Sequence, residues 1–112
     1  AGGHIAILDR TESAFGPVAR RRYEALLVIA LRDIVRDPMR PGTIRRPELG
    51  EEVRSYHLRH SRDRAATPYG IVRRPRHLLL YRVISADVIG VGRILHDAMD
   101  IDQHVPTDFG DA

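Results

Sequence analysis

Two apolar, β-rich segments, His77–Ile84 and Val88–Leu95, are joined by only Ser85-Ala86-Asp87, and no other feature restricts the fold of this chain as much. A three-residue connection cannot cross over a sheet and return, so the two strands must be antiparallel neighbours. The run Leu78-Leu79-Leu80-Tyr81 is apolar without alternation, the pattern of a strand covered on both faces. Upstream, Ala19, Tyr23, Leu26, Leu27, Ala30 and Ile34 recur at helical spacing from Val18 onward. Arg20, Arg21, Arg22, Glu24, Arg32 and Asp33 fall mainly off that stripe. Gly16-Pro17 opens this helix, and Asp37-Pro38 closes it because a residue before proline is steered out of helical backbone.

The remaining segments are read more locally. His4–Asp9 has the look of a short strand with Ile5 and Ile7 on one face, and Thr11 and Ser13 are candidate helix caps. Asp37–Glu52, with Pro38, Pro41, Gly42, Pro47 and Gly50, reads as a loop, and Val53–His60 as a further strand. Arg59–Pro75 is then a polar, arginine-rich turn region, Asp97–His104 a short closing helix, and Pro106 onward a polar tail. The expected class is α+β: an N-terminal strand and a helical hairpin packed on a small antiparallel sheet, with a short C-terminal helix. At 112 residues, a single domain over 1–112 is expected, with residues 1–3 an appended remnant and 105–112 a tail.

Composition narrows the chemistry. Cysteine is absent, which excludes disulfides, thiolate metal sites and cysteine nucleophiles. The longest unbroken apolar run, Ala25–Leu31, is far shorter than the roughly 20 residues of a membrane span, and no signal peptide is visible, so a cytoplasmic location is expected. All 18 basic residues are arginine. Residues 36–76 carry a net charge of +6 and residues 97–112 a net charge of −5. The middle of the chain should therefore attract a polyanion or an acidic protein segment.

Candidate sites follow from residue type and spacing. His57 and His60 form an H-x-x-H pair, but the stretch is not helical in pattern and no third ligand stands nearby, so they read as ordinary polar histidines and no metal is expected. Arg73-Arg74-Pro75-Arg76 is a basic patch suited to an acidic partner or to a solvated strand edge. Arg82, Arg93 and His96 sit on the hairpin and could converge for acid–base work on a phosphodiester, or be salt-bridged and structural. Tyr81, among apolar neighbours, reads as core. Asp97, Asp100 and Asp102 match no calcium loop, and Gly90-Val91-Gly92 lies in a strand, not in a nucleotide loop; no cofactor is expected.

Taken together, Ile5-Ala6-Ile7-Leu8, the helix from Phe15-Gly16 to Tyr23, Pro47-Glu48-Leu49-Gly50, Arg76–Val83 and Val91–Asp100 resemble the RelE/ParE superfamily of type II toxin–antitoxin toxins. The ending Arg93-Ile94-Leu95-His96-Asp97-Ala98-Met99-Asp100 is similar to the ParE branch. RelE-like members are implied to cut mRNA on the ribosome, with an arginine three residues before the tyrosine of the central strand. That position is Leu78 here, and an aliphatic group cannot stabilise a phosphate oxygen. His96 is followed by Asp97, and no tyrosine follows Tyr81, which again departs from the nuclease pattern. The ParE resemblance implies a non-enzymatic inhibitor of DNA gyrase, neutralised by a ParD-like antitoxin that combines a ribbon-helix-helix with a flexible segment. Under this reading Arg82, Arg93, His96 and Met99 are candidate target contacts. Arg73, Arg74, Arg76, Tyr23 and Leu27 are candidate antitoxin contacts. The competing expectations are a ribosome-dependent endoribonuclease using His96, Arg82 and Arg93, and an arginine-rich nucleic-acid-binding module; sequence-specific nucleic-acid binding is not expected.

Overall fold

A computed structural model of the chain describes residues 6–85 and 88–98. Two helices, α1 (Ala6–Phe15) and α2 (Pro17–Arg36), form a hairpin broken at Gly16. Gly16 adopts φ +93°, ψ 174°, a backbone region that side chains with a Cβ avoid, and this lets the chain reverse within a single residue. Pro17, whose missing N–H is no loss at a first helical position, restarts the helix. Arg20 bonds Glu12 across the turn at 3.2 Å, a solvent-exposed pair worth at most about 1 kcal/mol.

The stripe seen in sequence is the buried face of α2: Tyr23, Leu26, Leu27, Ala30 and Ile34 all lie against the sheet, joined by Asp33. At Asp37 the backbone turns extended, ahead of Pro38, and the helix stops.

Four antiparallel strands follow in the order β1 (Thr43–Arg45), β2 (Val53–His57), β3 (His77–Ser85) and β4 (Val88–His96). Short 3-10 helices at Pro47–Leu49 and Leu58–Arg64 flank β2. One face of the sheet packs on the helices through Tyr56, Leu79 and Tyr81, with Leu58 and Leu8 in the same cluster. The opposite face carries a second cluster of Leu49, Val53, Leu78, Leu80 and Leu95. This explains the unalternating run at 78–81: β3 is central and both of its faces are buried.

Several local expectations change. Ala6–Asp9 belong to α1 and not to a strand, while His4 and Ile5 lie outside the described residues. A short apolar run fits either state, and here continuation to Phe15 beside α2 decides it, with Leu8 buried. Thr11 and Ser13 are consequently interior to α1 and do not stand at its N-terminus. The expected loop at 37–52 contributes the edge strand β1, and the expected strand at 53–60 ends at His57, where a 3-10 helix takes over the start of the expected turn region. Asp97 and Ala98 form a turn; the rest of the expected closing helix and the tail fall outside the described residues.

A buried ionic cluster fastens α2 to the segment after β2. Asp33 accepts from Ser61 at 2.5 Å and from both terminal nitrogens of Arg64, with Arg40 3.2 Å away. Ser61 in turn pairs with the Tyr56 hydroxyl at 2.7 Å, so the carboxylate is satisfied on every side.

Candidate functional site

At the end of the sheet where β3 begins and β4 ends, a groove of about 480 Å³ opens between the helical hairpin and the segment leading into β3. Phe15, Ala14 and Val72 give it apolar walls, and Arg74, Arg76, His77 and His96 give it polar ones. An adjoining depression of about 590 Å³ shares Phe15, Val72 and Arg74 and adds Ile71, Arg73 and Arg22. Phe15 is 79% exposed, an unusual state for so large an apolar ring.

The hydrogen bonds under this groove fix the chemistry of its groups. The Arg76 backbone N–H donates to the Tyr23 hydroxyl at 3.2 Å, so the hydroxyl proton is left to donate to His77 Nδ1 at 2.5 Å. Neutral His77 therefore carries its proton on Nε2. The same tautomer holds at His57, whose Nδ1 accepts from Arg59 N–H, and at His96, whose Nδ1 accepts from Ala98 N–H. The His77 and His96 rings meet edge to face with centroids 5.3 Å apart, because the two residues are register partners across β3 and β4.

Asp97, just past β4, works as a bracket. One carboxylate oxygen accepts from His57 Nε2 at 3.1 Å and the other from Arg76 Nε at 3.2 Å, while its own N–H donates to the Arg76 carbonyl at 2.8 Å. The hydrogen bond from His57, assisted by the Arg76 charge, holds the Asp97 carboxyl below its usual pKa. Burial pushes the Tyr23 phenol above its usual pKa.

The structure sorts the predicted residues into different places. Arg73, Arg74 and Arg76 are exposed along the groove. Tyr23 and Leu27 are not an accessible docking stripe: they are 7% and 3% exposed, because the sheet already covers that side of α2. Arg82, Arg93 and His96 do not converge. Arg93 and His96 are three residues apart on one strand, so alternation sends them to opposite faces. His96 joins His77 on the helix side, whereas Arg93 pairs with Leu80 and Arg82 with Val53, both on the far side. Met99 lies outside the described residues. Leu78 is buried in the far cluster.

His57 and His60 also part company, one bound to Asp97 and the other tilted over the Tyr56 ring at 5.5 Å. Among the described residues, no group of three or more histidine or carboxylate side chains is arranged to hold a metal ion. Tyr81 is fully buried and donates its hydroxyl to the Pro38 carbonyl, as a core residue should. No described helix is long and apolar enough to cross a membrane.

Phe15, His77 and the bracketing role of Asp97 were not singled out from sequence. Their only signal was the hairpin, whose register pairs His77 with His96 and so brings Asp97 beside Arg76.

Comparison with known proteins adds one decisive finding. No curated relative and no solved structure matches the chain. Residues 5–101 do match the family described as the ParE toxin of type II toxin-antitoxin system, parDE. That span contains both helices, all four strands and the groove, so this chain belongs to the ParE toxin family and is the toxin half of a toxin–antitoxin pair.

Proposed function

We propose that this toxin acts by docking on DNA gyrase and impairing it, without cutting RNA, and that a ParD-like antitoxin neutralises it. The observation that carries the non-catalytic part is the fate of the nuclease positions. Leu78 is packed among Leu49, Val53, Leu80 and Leu95, and His96 is turned away from Arg82 and Arg93. On the far face a phosphorane-like charge would meet Arg82 and Arg93 without His96, and on the groove side His96 and His77 stand without those two arginines.

The antitoxin's landing site is the groove side. Arg73 and Arg74 stand exposed beside Phe15 and Val72, so an acidic segment with apolar residues can neutralise the guanidinium groups and cover the ring in one step. Arg76 contributes less, because Asp97 already holds it.

A supercoiling reaction with purified gyrase tests the proposal. Added toxin should inhibit supercoiling or accumulate cleavage complexes, and added antitoxin should reverse the effect. Gyrase left fully active by excess toxin overturns the reading. Codon-phased mRNA cuts abolished by His96→Ala would put the endoribonuclease in its place.

A further inference from the structure

The side of α2 turned away from the sheet leaves a narrow line of apolar side chains exposed. Val28 and Val35 are 42% and 58% exposed there, with Leu31 half-buried between them. Positions 21, 24, 28, 31 and 35 follow one another at alternating steps of three and four, the spacing with which one helix seats against another. Shallow depressions of about 260 and 460 Å³ run along the same line, the first beside Ala25, Val28 and Ala65 and the second beside Leu31 and Val35. The sheet holds the opposite side of α2 through Tyr23, Leu26, Leu27, Ala30 and Ile34, and Val28 and Val35 add nothing to that core.

The charges on this line are ordered about Val28. Glu24 lies four residues before it and Arg32 four residues after it. Both are exposed, and among the described residues neither has an ion pair or a hydrogen bond through its side chain. At 3.6 residues per turn they stand about 40° to either side of Val28. Ala25 and Leu31 are likewise equidistant from Val28, as are Arg21 and Val35. The Arg21 guanidinium is drawn off to Tyr69, 2.7 Å from its hydroxyl and over its ring, so the aliphatic stem is what borders the line. Arg36, about 80° round the helix from Val28, stands clear of it. Outward from Val28 in the two directions, base therefore answers acid and apolar surface answers apolar surface.

We propose that this line is a self-complementary interface on which a second copy of the chain packs, α2 antiparallel to α2, about a two-fold axis at Val28. That axis sets Val28 against its own counterpart. It also sets Leu31 against Ala25, Val35 against the Arg21 stem and Glu24 across from Arg32, each of these pairs occurring twice. A wholly acidic helix is the poorer occupant, because Glu24 would oppose it, and an anionic membrane surface meets the same repulsion. One helix against its copy falls at the lower end of specific interfaces, about 1,200 Å² in total, so a dissociation constant in the micromolar range or weaker is expected. None of the residues lining the Phe15 groove lies on the line, so the pairing draws on neither gyrase nor the antitoxin.

The experiment is sedimentation equilibrium of the full chain, alone, from roughly 5 μM to roughly 1 mM protein. The parent should pass from monomer to dimer with no larger species, because an isologous contact closes on itself. Val28→Asp should abolish the dimer by setting two carboxylates against each other at the axis. Glu24→Arg and Arg32→Glu should each weaken it roughly 2- to 30-fold, the loss of two symmetric exposed ion pairs. Glu24→Arg combined with Arg32→Glu should restore the parent's dimerisation, which also shows that both exposed positions tolerate the change. A monomer over the whole range, a dimer indifferent to Val28→Asp, or a charge swap that fails to restore pairing each overturns the proposal. A monomeric toxin whose binding to the cognate antitoxin, or to phosphatidylglycerol vesicles, is lost in Val28→Asp gives the face to that occupant and overturns the pairing as well.

Discussion

Tyr23→Phe isolates the chemistry of the groove floor from its packing. The ring stays, with its buried contacts to α2 and the sheet and its edge contact to His77 at 5.3 Å. Two hydrogen bonds go: the one accepted from Arg76 N–H and the one donated to His77 Nδ1. Each is worth about 0.5–1.5 kcal/mol net, and a buried donor left without a partner costs about 1–3 kcal/mol. The groove opens directly beside these atoms, so water can replace part of what is lost and the low end of the range applies. The expected loss is about 1–2 kcal/mol, which lowers a urea midpoint by roughly 0.5–1.5 M for a small domain. A second readout distinguishes this from general loosening: with its donor gone, His77 is no longer confined to the Nε2–H tautomer, and nitrogen NMR should record a tautomer mixture. A variant as stable as the parent, or an unchanged His77 tautomer, refutes the hydrogen-bond assignment at this site.

Asp33→Ala should cost about 3–5 kcal/mol by leaving Arg40 and Ser61 without their acceptor, whereas Arg64→Ala should cost less, because Arg40 still faces the carboxylate; chemical denaturation orders the two. Gly42→Ala should cost about 1–3 kcal/mol, since Gly42 sits at φ +97° and a new Cβ would lie 2.8 Å from the His60 ring; a neutral result in thermal melts contradicts this backbone. Stability should fall on acidification in two steps. Burial lowers the pKa of His60, so the unfolded chain takes up a proton below its usual value of 6.5 before the folded one does. The Asp97 carboxyl, held down mainly by His57, contributes stability above its usual 3.8 and loses it as pH falls through the lower folded value. At the alkaline end, burial raises Tyr23 and Tyr81, so stability should decline as pH climbs past 10, and a flat profile in either direction contradicts the cited environments.

The strong periodic elements were legible and the faces were not. The stripe from Tyr23 to Ile34 and the hairpin at 77–95 carry their own period, and both stand in the structure within a residue or two of where pattern puts them. Ile5-Ala6-Ile7-Leu8 is too short to show a period, and only packing against α2 settled its state. β1 is three residues between prolines and glycines, a strand by virtue of its partner β2 and not of its own composition. The false convergence of Arg82, Arg93 and His96 has a simpler origin: residues on one hairpin share a neighbourhood but not a side, and alternation already separated Arg93 from His96. What no sequence pattern announces is the bulge at Gly92, which decides the side on which Arg93 emerges.

The charge of the middle segment illustrates the same point at larger scale. A net +6 over residues 36–76 suggests one basic surface, but the fold divides it. Arg40 and Arg64 are consumed by Asp33, Arg54 bonds Thr43 at 2.9 Å, and Arg62 pairs with Asp63. Arg73 and Arg74 remain at the helix-side groove, and Arg46 joins Arg82 and Arg93 across the sheet. A sheet with side chains on both faces is about 10 Å deep, comparable to the Debye length at physiological salt, so charges on one face do little for a ligand on the other. Any partner therefore meets two or three arginines and not the whole net charge. The groove sets Arg73 and Arg74 beside an exposed ring, whereas the far face holds Arg46 on Ser55 and Glu48, half-buries Arg82, and leaves Arg93 exposed in the same row as Ile44.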